Sequence, residues 1–165
     1  MQSAEILDVK QFMQLLLQSS AFDHYETVSA TLRTNMDYQI DGRWNPSFFS
    51  EDETDTYKLT EHTYLPWALA KEKIFSLIKG KKTPTIMKIV FKVSKENLEA
   101  FLTTANSPHN SNDIDGIYFN ILFQEQKLNV TFQISYKIFT LDKNLEEEFF
   151  SNFITLLKSN NIAAE

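Results

Sequence analysis

The clearest alternation of apolar and polar residues runs from Gly116 to Leu141. Leu128, Val130, Phe132, Ile134, Tyr136 and Ile138 fall on one side, and Lys127, Asn129, Thr131, Gln133, Ser135 and Lys137 on the other. Successive strand side chains point to opposite faces, so this period of two predicts a strand with one buried and one wet face. Ile117, Phe119, Ile121 and Phe123 repeat the pattern before the polar break Gln124-Glu125-Gln126. Together the two runs predict a long antiparallel hairpin. The same period places Met87, Ile89, Phe91 and Val93 on one face of a strand from Thr85 to Val93. From Tyr25 it sets Val28, Ala30 and Leu32 against Thr27, Ser29, Thr31 and Arg33, in a β-branched stretch that favours a strand. A further strand, Tyr38 to Asp41, ends at the turn dipeptide Asp41-Gly42.

Elsewhere the period lengthens to that of a helix. Val9, Phe12, Met13, Leu16 and Leu17 form one stripe behind Asp8, a candidate cap. Pro66 opens a second helix with Trp67, Ala70, Ile74, Leu77 and Ile78 inward and Gly80 just past its end. Ser94 caps a third, carrying Leu98, Phe101, Leu102 and Ala105. Asn144 with Glu147 three residues on is the candidate cap of a last helix, whose wide apolar face is Leu145, Phe149, Phe150, Phe153, Ile154 and Leu157. Ser47 to Thr63 has no apolar period and holds five acids against Lys58, so it is expected to be an exposed loop. The order α, β, β, α, β, α, β, β, α with short turns predicts an α+β fold. The expected architecture is a mainly antiparallel sheet of about five strands with helices packed on one face, as a single domain over residues 1–165.

Composition then removes function classes. There is no cysteine, so disulfides, thiolate nucleophiles and cysteine metal sites are excluded, and a reducing compartment fits. The early apolar run Leu15 to Leu17 is far too short to span a bilayer, and the N-terminus lacks the pattern of a signal peptide. The expected location is the cytoplasm, with no membrane partner. The net charge of −6 is shared evenly between the two halves, which disfavours nonspecific nucleic-acid binding by bulk charge. Three glycines are too few for a dinucleotide fingerprint or a Walker loop. Gly80-Lys81-Lys82-Thr83 has the wrong context for one, lying between a helix and a strand. Asn112 to Gly116 resembles part of a calcium loop, but Leu122 stands where the bidentate glutamate belongs. His24, His62 and His109 are scattered, without metal-ligand spacing. No cofactor, no metal and no catalytic residue is expected, and the reading leans away from an enzyme. Fourteen phenylalanines read as a large core.

Two features carry candidate chemistry. Between Glu72 and Glu96 there is no acid, yet Lys79, Lys81, Lys82, Lys88 and Lys92 are all present, along with Lys73 and Lys95. Lys88 and Lys92 share a strand face, so a cationic strip is plausible, with Arg43 joining it and the acidic loop at 51–61 lying over it. Solvated lysine that protects strand edges is the plainer reading. The second feature is Arg43 beside Trp44 in the turn after Asp41-Gly42, a pairing suited to a planar or anionic ligand, although such a Trp more often packs back on its domain.

Four segments resemble an uncharacterised family of small proteins from anaerobic Gram-positive bacteria, a domain of unknown function. They are Asp8 to Met13, Ile40 to Arg43, Ile78 to Pro84 and Phe139 to Lys143. The resemblance implies a whole-chain domain in a cytoplasmic bacterial protein and carries no activity with it. Lys88 to Leu102, a strand running into a short amphipathic helix, is also similar in shape to one unit of a sliding-clamp fold, at the level of analogy alone. The favoured reading is a non-enzymatic protein-interaction module with an unknown protein partner or a homodimer. The alternatives are a nucleic-acid-associated protein using the lysine strip, which is less favoured, and an anionic small-ligand binder at Arg43, Trp44 and the Gly80 turn.

Overall fold

Residues that alternate in the chain alternate in space. The computed structural model describes residues 2–165. Six strands form one sheet: β1 (Gln2–Ile6), β2 (Glu26–Arg33), β3 (Asp37–Asp41), β4 (Ile86–Lys92), β5 (Ile114–Gln124) and β6 (Lys127–Tyr136). Their order is β1-β6-β5-β4-β2-β3, and every neighbouring pair is antiparallel. Five α-helices accompany them: α1 (Val9–Gln18), α2 (Glu51–Thr56), α3 (Trp67–Ile78), α4 (Lys95–Thr104) and α5 (Asn144–Ser159).

Register aligns the apolar positions into rows across the sheet. Phe91 pairs with Phe119 and Phe119 with Phe132, while Ile89, Ile121 and Val130 form the next row. All six are buried. Helices α1, α3, α4 and α5 cover this face. Phe153 of α5 lies with its ring centroid 4.9 Å from that of Phe132, and Trp67 of α3 meets Phe91 edge-on at 5.0 Å. Offset and edge-to-face aromatic pairs of this kind add about 0.5–1.5 kcal/mol each beyond area burial. The fourteen phenylalanines therefore mostly build core, though Phe48 and Phe139 do not. The opposite sheet face carries Lys88 and Gln133, both exposed, and the half-buried Thr131.

The expected α+β fold with an antiparallel sheet is what the structure has, and several details are corrected. The sheet has six strands, because Gln2–Ile6 adds β1 beside β6. Only Ala4 and Ile6 of that strand are buried, too few alternations to signal a strand. Its outer edge is not bare: the Glu5 amide donates to the Glu165 carbonyl (2.7 Å) and the Leu7 amide to the Ala163 carbonyl (2.9 Å). Asp8 makes no side-chain cap on α1; its Oδ2 instead accepts from the Ala163 amide at 2.7 Å. Asn144 is the first residue of α5 rather than its cap, and its amide donates to Asp142 Oδ1. Ser94 does cap α4, accepting from the Asn97 amide. Within the expected loop, residues 51–56 are helical, held by a capping box between Ser50 and Glu53, although α2 buries no residue. In β2 a bulge between Thr27 and Ser29 breaks the alternation, so Thr27 is buried and Val28 only half-buried. No helix among the described residues is long and apolar enough to cross a membrane.

Candidate functional site

Helix α3 ends because Gly80 follows Lys79, and the chain then turns through Lys81-Lys82-Thr83-Pro84 into β4. Gly80 has a φ of +155°, a conformation that residues with a Cβ rarely adopt, and no neighbour lies within 4 Å of where a Cβ would sit. Lys81, Lys82 and Thr83 are exposed, whereas Pro84 is buried. Beneath the loop lies a cavity of about 250 Å³. Its walls are Val9, Met13 and Leu17 from α1, Phe75 and Ile78 from α3, and Pro84, Met87 and Phe123 from the sheet side. Lys79 and Lys82 stand in its rim, and no carboxylate lines it. Across Thr83 and Pro84 it adjoins an open groove of about 800 Å³ that also takes in Lys10 and Arg33.

Cations outnumber acids at this end, where Glu125 also lines the groove. Among the described residues Lys79, Lys81 and Lys82 form no ion pair. Arg33 is held by Asp37, Nε to Oδ1 at 3.1 Å. An apolar cavity beside unpaired ammonium groups suits a ligand that is apolar at one end and anionic at the other. Nothing in it proposes proton transfer or nucleophilic attack.

The remaining candidates lie elsewhere. Lys88 is exposed in the middle of the open sheet face, opposite Thr31 and Leu122. Lys92 is at the far end of β4 with its Nζ over the Tyr118 ring, 5.6 Å from the centroid. Six residues separate Ile86 from Lys92, or roughly 20 Å of strand. The lysines thus divide between a loop cluster and two single positions. Arg43 is exposed beyond β3, bridged through its backbone to Tyr64. Trp44 packs back on its own chain: its Nε1 donates to the His62 carbonyl at 2.8 Å and its ring meets Phe49 edge-on. Neither belongs to the cavity. None of the acids of segment 51–61 forms an ion pair with these lysines among the described residues.

Two histidines acquire carboxylate partners that spacing does not reveal. His62 Nδ1 meets Glu26 Oε2 at 3.1 Å. His109 lies between Asp113 and Asp142, at 3.9 and 3.6 Å. The other surface missed in the sequence is the link from β6 to α5, where Ile138, Phe139 and Leu141 are exposed. The alternation of the hairpin placed Ile138 inside, but β6 ends at Tyr136. Among the described residues no group of three or more His, Asp or Glu side chains is arranged to hold a metal ion.

No curated protein and no solved structure matches the chain. The profile of a family of unknown function, DUF5721, matches residues 14–165. That stretch takes in β2 to β6, α2 to α5, half of α1 and every wall of the cavity except Val9 and Met13. On that coverage the chain belongs to the DUF5721 family of unknown function.

Proposed function

We propose that this protein is a non-enzymatic interaction module that receives an anionic apolar group of a partner in the cavity beneath the Lys79–Pro84 loop. The observation that carries this reading is the pairing of eight apolar wall residues with Lys79 and Lys82 at the rim. Burial of an aliphatic or aromatic group supplies roughly 25 cal/mol per Å² of apolar surface. The ammonium groups, already near the mouth, add selection for a carboxylate. The same site would take a free small acid, so octanoate is a suitable probe. The strip of lysines expected to track a nucleic acid is divided between a loop and two sheet positions, which gives a phosphate backbone no continuous path.

Calorimetry with octanoate and with uncharged octanol tests this. Octanoate is expected to bind at millimolar concentration or tighter, more weakly as salt rises, and octanol at least several-fold more weakly. Lys79→Ala with Lys82→Ala should erase the difference between the two probes, and Met13→Trp, which fills the cavity, should abolish both. Octanoate binding that is absent, or that survives all three substitutions, overturns the proposal.

A further inference from the structure

The link between β6 and α5 is the most exposed apolar stretch of the molecule. Phe139 is 89% exposed and Leu141 80%, with Ile138 beside them at 44%. A free surface rarely presents three such residues together without a use. The link is also held in place. The Lys137 amide donates to the Asp113 carbonyl (2.8 Å), the Asp142 amide to Thr140 Oγ1 (3.1 Å) and the Asn144 amide to Asp142 Oδ1 (2.9 Å). Behind it, His109 Nε2 is 3.6 Å from Asp142 Oδ2. The apolar side chains therefore project from a fixed loop, which reduces the ordering entropy of docking.

Resting on the cavity as a receiving site, we propose that its occupant is a second copy of this chain, whose Phe139 enters beneath the Lys79–Pro84 loop. Two observations select this occupant. First, size: a cavity of roughly 150 Å³ is enough for benzene, and this one is about 250 Å³. Second, charge: the link contains Asp142 and bonds to Asp113. Glu147 and Glu148 are close to it in sequence, as Asp115 is to Asp113, and the lysines at this end are Lys92, Lys137 and Lys143. The cavity end presents Lys79, Lys81 and Lys82 unpaired, with Lys10, Arg33 and Glu125 in the adjoining groove. Acids outnumber bases at the plug end and bases outnumber acids at the socket end.

The two features lie at opposite ends of the sheet, so one molecule cannot join its own. The socket is where β4 begins and β5 ends; the link follows Tyr136, which pairs with Ile114 at the beginning of β5. Eleven residues of β5 separate them, roughly 35 Å. Plug and socket make a contact that closes reciprocally between two antiparallel copies or propagates head to tail into rings and filaments.

Sedimentation velocity from micromolar to millimolar protein decides it. The wild type should associate to a dimer or larger species as concentration rises, and added salt or octanoate should dissolve it. Phe139→Ser, which lacks the plug, and Lys79→Glu with Lys82→Glu, which lacks the socket charge, should each stay monomeric. Phe139 is exposed and those lysines are unpaired, so both variants should keep the wild-type circular dichroism spectrum. In a mixture, the intact plug of the lysine variant meets the intact socket of Phe139→Ser, and a discrete heterodimer should appear. A wild type that is monomeric throughout, or a Phe139→Ser protein that associates as before, overturns the inference. Octanoate binding by monomeric Phe139→Ser is read separately: if it persists while self-association fails, the socket stands and only its occupant is wrong.

Discussion

Glu26 Oε2 and His62 Nδ1 are 3.1 Å apart although thirty-six residues separate them in the chain. Glu26 is only 4% exposed, and its other oxygen accepts from the Thr63 and Tyr64 amides at 3.2 and 3.1 Å. A single carboxylate at the start of β2 thus ties down the segment that leads from α2 back to α3. Removing a buried acceptor leaves donors without partners, so Glu26→Ala should lose about 2–4 kcal/mol of stability in urea unfolding. Glu26→Gln keeps an oxygen for the amides and should lose about half as much. Equal losses would mean that the amide oxygen of Gln does not replace the carboxylate toward the Thr63 and Tyr64 amides.

Gly42 sits where β2, β3 and the returning segment converge. Its amide donates to the Val28 carbonyl at 2.9 Å, and its carbonyl accepts from the Leu65 amide at 2.7 Å. A Cβ there would lie 1.6 Å from the Thr27 carbonyl oxygen. That obstacle is backbone and cannot rotate away. Gly42→Ala should lose roughly 3 kcal/mol or more, or fail to fold. Gly80→Ala has open space around it and should lose about 1 kcal/mol, from its backbone angle alone. Similar losses for the two glycines would show that Gly42 is not tightly enclosed.

These two positions show why part of the molecule was legible in the chain and part was not. The buried rows through Phe91, Phe119 and Phe132 repeat every second residue, and the stripe of α5 repeats with the helix, so both can be read directly. Strand β1 offers only Ala4 and Ile6 to the core and leaves almost no periodic trace. Helix α2 has no buried stripe, and only the pair Ser50 and Glu53 announces it. The lysines of the candidate site were visible as a run without acids. Its apolar walls were not, because α1, α3, β4 and β5 each contribute one to three of them and each reads separately as core. The carboxylates of Glu26 and Asp142 find their histidines through the sheet and loop topology, over separations that spacing rules do not reach.

Trp67 joins the first two large helices. It is fully buried, its Nε1 donates to the Leu16 carbonyl in α1 at 2.9 Å, and its ring lies edge-on to Phe91. Trp67→Phe keeps an aromatic ring but removes the donor and leaves a void. The expected loss is about 2–3 kcal/mol, from an unsatisfied carbonyl plus the cavity. Trp67→Leu should lose more, since the aromatic contact goes as well. Chemical denaturation followed by circular dichroism compares them, and a Phe variant as stable as the wild type would remove the hydrogen bond from the account.

Tyr25 gives the fold an alkaline limit. Its ring is packed edge-on to Phe119 at 4.7 Å and against Phe91 and Phe22, and burial pushes its hydroxyl up to about 12 from an ordinary 10.0. The folded chain keeps this proton between pH 10 and 12, whereas the unfolded chain releases it from pH 10 upward. Stability from this group is therefore complete below pH 10 and is lost as pH rises toward 12, in total roughly 2–3 kcal/mol. Tyr136 is raised in the same direction, by burial first and then by the charges of Asp142 and Glu146. Urea midpoints for Tyr25→Phe measured from pH 8 to 12 should fall less steeply than those of the wild type. A smaller slope should persist until Tyr136→Phe is added. A Tyr25→Phe profile parallel to that of the wild type would place the alkaline transition on other groups.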